Sequence, residues 1–123
     1  MAFKVDKNGD ITLIQGDSGS LVINGLNTSE NYTVCLAVRD RKRNLIGQEL
    51  YINSHNSSSV VFEFTPDFTN LFKVEAGEQF AIYNYAIKLC LPNINFEDTL
   101  LIGNKDIGMD NLIIVYPQKV EGV

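Results

Sequence analysis

The sequence predicts an all-β domain, an antiparallel β-sandwich of about eight short strands. Three observations carry that prediction. Apolar and polar residues alternate with a period of two through several short segments, most cleanly over residues 32–39 and 60–65. Clusters of Gly, Asn, Asp and Ser separate these segments at short intervals. Helical spacing is confined to one short stretch after Pro66. A strand that alternates in this way has one apolar face to hide, so two sheets must stack on each other. Such stacking is favoured over a closed barrel.

The elements follow in order. Asp6-Lys7-Asn8-Gly9-Asp10 is a turn, and residues 11–14 form a short strand. Gly16-Asp17-Ser18-Gly19 is a second turn before a strand over 20–24. Residues 25–31 are loop. The strand over 32–39 places Tyr32, Val34, Leu36 and Val38 on one face. The charged turn Asp40-Arg41-Lys42-Arg43-Asn44 makes it a hairpin with a strand over 45–52. After a polar loop, Val60, Phe62 and Phe64 share a face of the next strand, which Pro66 ends.

Residues 67–74 are the one predicted helical turn, because Phe68, Leu71 and Phe72 fall at helical spacing. A connector of that length plugs one end of a sandwich. Glu75-Ala76-Gly77-Glu78 turns the chain into the longest strand, 80–90, with Tyr83, Tyr85, Ile87 and Leu89 on its core face. Residues 91–97 are irregular. Strands over 98–103 and 111–116 complete the set, and residues 120–123 form a loose tail. The 123 residues fit one domain, 1–123, with loose ends at both termini.

The net charge of −5 and the pI near 4.7 argue against nucleic-acid binding, which calls for a basic surface. They also disfavour adsorption to anionic membranes. No segment has the length and apolarity of a signal peptide or a transmembrane helix, so cytoplasmic synthesis is expected. The sequons at Asn27, Asn31 and Asn56 are then incidental to an Asn- and Ser-rich chain. The two cysteines, Cys35 and Cys90, fall opposite the apolar faces of their strands. They are expected to be reduced thiols rather than a disulfide between sheets.

Several strings invite a chemical reading, and each has a plainer one. Gly16-Asp17-Ser18-Gly19 copies the nucleophile string of chymotrypsin-like proteases, but a serine nucleophile needs a histidine base and an orienting acid. His55 is the one histidine, and it follows the serine in a polar loop. The turn reading is therefore preferred. Asp6-Lys7-Asn8-Gly9-Asp10 opens like a calcium loop, yet Ile11 stands where Gly is wanted and Asp17 where a bidentate Glu is usual. A solvated turn is expected. One histidine and two cysteines leave little material for a metal centre. Glu63, Glu97 and Asp98 are the carboxylates available for glycosidase-type chemistry, with no spacing that singles out a pair. No enzyme activity, metal or cofactor is expected.

Binding is the alternative to chemistry. Arg41, Lys42 and Arg43, with Arg39, are the one basic cluster, read as a solvated hairpin tip or a contact for an acidic protein. Tyr51 and Tyr116 are the tyrosines least committed to the core, so they are candidates for a carbohydrate- or surface-binding platform. Trp, the usual sugar-stacking residue, is absent. Phe68, Leu71 and Phe72 are read first as a core plug and second as a partner patch. The candidate contact residues are thus Arg41, Lys42, Arg43, Tyr51, Phe68, Phe72 and Tyr116.

The Glu75–Glu78 turn ahead of a Tyr-rich strand resembles the E–F corner of immunoglobulin-like sandwiches. A wider resemblance joins the stretch Asp10-Ile11-Thr12-Leu13-Ile14-Gln15-Gly16-Asp17 to the Gly77-Glu78 turn, the strand over 82–89 and Asp98-Thr99-Leu100-Leu101-Ile102-Gly103. Together these are similar to small structural proteins of bacteriophages and prophages of low-GC Gram-positive bacteria. They look most like the N-terminal immunoglobulin-like domain of baseplate upper proteins, which opens on Ile-x-Leu-x-x-Gly-Asp. The resemblance implies an immunoglobulin-like sandwich that acts in a virion, in tail, baseplate or head. Its partners would be other virion proteins and further copies of itself, and it would carry no catalytic residues.

Overall fold

A computed structural model describes residues 2–92 and 94–119. The chain runs β1 (Phe3–Val5), β2 (Ile11–Ile14), β3 (Gly19–Ile23), β4 (Thr33–Arg39), β5 (Leu50–Asn53), β6 (Val60–Phe64), α1 (Pro66–Thr69), β7 (Ala81–Leu91), β8 (Phe96–Leu100) and β9 (Asn111–Tyr116). Seven strands form one sheet in the order β1-β2-β9-β7-β4-β5, with β8 also paired to β7. The other two, β3 and β6, form a second sheet. The architecture is a nearly all-β sandwich, as the alternation predicts.

Strand β7 is the spine. At 11 residues it pairs with β4 along one edge, from Asn84 against Arg39 to Cys90 against Thr33. Its other edge is shared: Ala81 to Tyr85 pair with β9, and Ile87 to Leu91 pair with β8. One pairing departs from the antiparallel expectation. β2 lies parallel to β9, with Ile11 opposite Ile113 and Leu13 opposite Val115.

The core lies between the sheets, built from the faces that the period-two pattern selects. Val34, Leu36 and Val38 of β4 and Ile87 of β7 meet Leu21, Ile23, Phe62 and Phe64 of the small sheet, all almost fully buried. One end is closed by aromatic rings. Phe72 is 0% exposed and packs on Phe68 at 5.0 Å and Tyr83 at 5.4 Å, while Phe64 meets Phe3 at 5.2 Å. The plug is held by α1. The Thr65 hydroxyl accepts the Phe68 N–H at 3.2 Å as its N-cap, and Pro66 opens the helix without forfeiting a hydrogen bond.

Four boundaries differ from the expectation. The N-terminal end is not loose: β1 pairs with β2, and Phe3 covers Gly19 so closely that an added Cβ there would fall 2.0 Å from the ring. The expected strand over 45–52 is interrupted. Leu45 makes an isolated bridge to Arg39, and Gly47 then turns with φ 66°, leaving β5 to start at Leu50. The expected helical turn shrinks to four residues. β8 begins at Phe96 rather than 98, because the turn after β7 sets Leu91 opposite Phe96. The expected tail over 120–123 lies outside the described residues.

Candidate interaction surface

The strings that invited a chemical reading resolve into turns. The Asp6 carboxylate accepts the N–H groups of Asn8 at 2.9 Å and Asp10 at 3.0 Å. Asp10 in turn accepts the Leu112 N–H at 2.9 Å and pairs with Lys105 at 3.2 Å. These carboxylate oxygens are engaged by donors from the chain itself, which is what a structural turn requires. No group of three or more His, Cys, Asp or Glu is arranged to hold a metal among the described residues.

Gly16-Asp17-Ser18-Gly19 is likewise a turn pinned from outside. Gly16 has φ 89° and donates its N–H to the Thr69 hydroxyl at 3.1 Å, and that hydroxyl donates to Asp17 O at 2.9 Å. Ser18 precedes the end of β3 that pairs with Phe64, whereas His55 precedes the end of β6 that pairs with Ile23. Roughly 13 Å of ladder separates those ends, so serine and histidine are not brought together. Glu63 sits on the small sheet and Glu97 and Asp98 on the large one, so these carboxylates form no facing pair.

The outer face of the large sheet carries a shallow groove of about 370 Å³ across β5, β4, β7 and β8. Both cysteines lie in it, free and half-buried. Their outward phase is as the alternation predicts. Tyr51 is 63% exposed, and its hydroxyl donates to Glu49, which also accepts the Cys35 S–H at 3.5 Å. Burial, reinforced by the Glu49 charge and hydrogen bond, pushes the Cys35 thiol up to about 11. The Glu49 hydrogen bond and charge push the Tyr51 hydroxyl up to about 12, and the same bond holds Glu49 below the usual carboxylate range. Lys88 and Glu97 pair at 3.9 Å at the other side.

The hairpin tip is preformed. The Asp40 carboxylate accepts the N–H groups of Lys42 at 2.8 Å and Asn44 at 2.9 Å, and these bonds, the Asn44 one foremost, keep it below its ordinary pKa. Arg43 takes φ 68°. Arg41, Lys42 and Arg43 are all exposed, and none forms an ion pair among the described residues.

The remaining candidates divide. Tyr116 is 40% exposed and stands 5.9 Å from the exposed ring of Phe80. Phe68 is half-buried and Leu71 is 44% exposed, so that side of the helical turn does reach the surface. Phe72 does not. As the centre of the aromatic plug it has no surface to offer, and it is removed from the contact residues. Residue spacing missed a further groove of about 540 Å³, between β6 with α1 on one side and residues 47–50 on the other. Its walls come from segments that are distant in sequence. The one local signal was the exposed apolar Leu71 beside Asp67.

No helix among the described residues is long and apolar enough to cross a membrane. No protein-family model matches the chain, and no curated protein matches it.

Proposed function

We propose that this chain is a structural protein of a phage or prophage particle, working in tail, baseplate or head through contacts with other virion proteins. The observation that carries the reading is the pairing scheme. The nearly all-β sandwich, with β9-β7-β4-β5 in one sheet and β3-β6 in the other, is compatible with the G-F-C-C′ and B-E pairings of an immunoglobulin-like domain and supports the reading to that extent. That is the domain type implied by the Ile11, Leu13, Gly16 and Asp17 opening. The inter-sheet disulfide and buried Trp of antibody domains have no counterpart, since both cysteines face outward and Trp is absent. The exposed Tyr51, Phe80 and Tyr116, together with the basic tip, supply contact surface of the kind assembly needs.

Mass spectrometry of particles purified after prophage induction in the source organism tests this. The protein is expected at several copies per particle. Its consistent absence, with other virion proteins detected, would remove the proposal.

A second reading, a carbohydrate- or surface-binding module, draws on one feature: the exposed Tyr51 ring beside the groove that Glu49, Lys88 and Glu97 line. A glycan array probed with the purified protein checks it. Signal lost in Tyr51→Ala would favour this reading over assembly, and a blank array would end it.

A further inference from the structure

The groove of about 540 Å³ between β6 with α1 and residues 47–50 has a definite chemistry. Phe68 and Leu71 give it an apolar wall, Leu50 and Gly47 face them, and Glu63 and Asp67 supply two carboxylates. Both acids are exposed, and neither has a cationic partner among the described residues. Glu63 accepts the Ser20 hydroxyl, at 2.8 Å. An occupant that fits must bring positive charge on a long apolar stem. The stem would cover Leu71 and the Phe68 ring while the head reaches the carboxylates.

The same chain presents that occupant. Arg41 and Lys42 project from a hairpin tip whose backbone is already fixed by the Asp40 carboxylate and by the Asp40 N–H to Asn44 O bond at 2.9 Å. Docking such a tip orders side chains but little backbone, which lowers the entropic cost of association. Neither the tip cations nor the groove acids form an ion pair among the described residues. Two complementary, unsatisfied surfaces on one molecule are the requirement for contact between copies.

We propose that the Arg41–Lys42 tip of one copy docks in the Glu63–Asp67 groove of a second copy of this chain. The contact rests on the reading of the protein as one that works by assembly, and it assigns that assembly a surface. Because opposite charges are partly exposed in it, it weakens with salt.

Charge exchange tests it with the purified full chain, by sedimentation velocity over a concentration series at low and high salt. The wild type is expected to self-associate, with the dissociation constant rising at least about tenfold when the tip is reversed (Arg41→Glu with Lys42→Glu). The same rise is expected when the groove is reversed (Glu63→Lys with Asp67→Lys). Mixing the two reversed proteins is expected to restore association, since each then meets a complementary surface. Thermal melts of both variants report folding, and the neutral pair Glu63→Gln with Asp67→Asn serves if Lys at these sites disturbs the strand. A wild type that stays monomeric at low salt, association indifferent to both reversals, or reversed proteins that fail to recombine would each overturn the proposal. These results are separable from the particle test: a chain found in virions but monomeric in solution loses only this contact. A chain that associates as described but is missing from particles loses only the virion role.

Discussion

The Tyr85 hydroxyl, in the middle of the longest strand, donates to the Gly9 carbonyl in the first turn of the chain. Tyr85 is 3% exposed, so its hydroxyl has no other route to a partner, and burial raises its pKa well above the usual tyrosine range. The bond is part of a cluster. Asn111 Nδ2 donates to Asn8 O at 3.2 Å and Ile102 O at 3.1 Å, so the turn over residues 6–10 is anchored to strands from the other end of the sequence.

Removing that hydroxyl leaves the Gly9 carbonyl buried without its donor. Tyr85→Phe is expected to destabilise the fold by about 1–3 kcal/mol, with little change in the denaturant slope. Urea unfolding followed by fluorescence measures it.

Gly25 and Gly103 form a matched pair. Both hold positive φ, 81° and 71°, but a Cβ at Gly25 meets nothing within 4 Å, whereas at Gly103 it would lie 2.2 Å from the Asn8 carbonyl carbon. Gly25→Ala should cost about 1–2 kcal/mol, the left-handed backbone penalty alone. Gly103→Ala should cost at least about 3 kcal/mol, because backbone must also move. Chemical denaturation of the two variants side by side gives the difference.

The aromatic plug separates stability from surface. Phe72→Ala empties the centre of the cluster and is expected to cost about 3–5 kcal/mol. Leu71→Ala, one residue away and 44% exposed, should shift the melting midpoint little while weakening self-association. Equal losses of stability in the two variants would contradict the packing described.

The Cys35 thiol sets an alkaline limit. Its folded pKa, near 11 against an ordinary 9.0, means that the fold favours the neutral thiol. Its contribution is fully present below pH 9 and is lost as pH rises toward 11. Tyr51, raised from 10.0 to about 12, acts in the same direction slightly later. The melting midpoint is expected to fall over pH 9–11, and less so in Cys35→Ser. Alkylation of Cys35 in a Cys90→Ser background should still be accelerating above pH 9. Glu49→Gln should bring that rise to lower pH without abolishing it, since burial is the larger cause.

Much of the sandwich was legible because alternation is a local signal. Tyr32, Val34, Leu36 and Val38 could be assigned to the core, and Cys35 to the outer face, from spacing alone. β1 escaped because three residues are too few to show a period, and Phe3 is recognisable as a core residue only once Gly19 is seen beneath it. β5 was over-extended because the chain turns at Gly47, with φ 66°, inside a stretch whose apolar residues continue on either side of it. The parallel pairing of β2 with β9 lies beyond any local pattern. Of the contact surface, the basic tip and the exposed Tyr51 and Tyr116 were readable from charge and phase. Phe72 was ambiguous because helical spacing does not say which side of a single turn faces inward. The Glu63–Asp67 groove was hidden because tertiary packing assembles it.

The alignment of β2 beside β9 also bears on synthesis. A ribosome delivers residues 11–14 long before residues 111–116, so the edge of β2 that β9 covers stays open while almost a hundred residues are made. During that interval Ile11 and Leu13 lack their β9 neighbours Ile113 and Val115, while β3 and β6, both made earlier, can already pair. Completion of the large sheet therefore waits for β9, and a nascent chain stalled before β9 presents an adhesive apolar edge to whatever lies nearby.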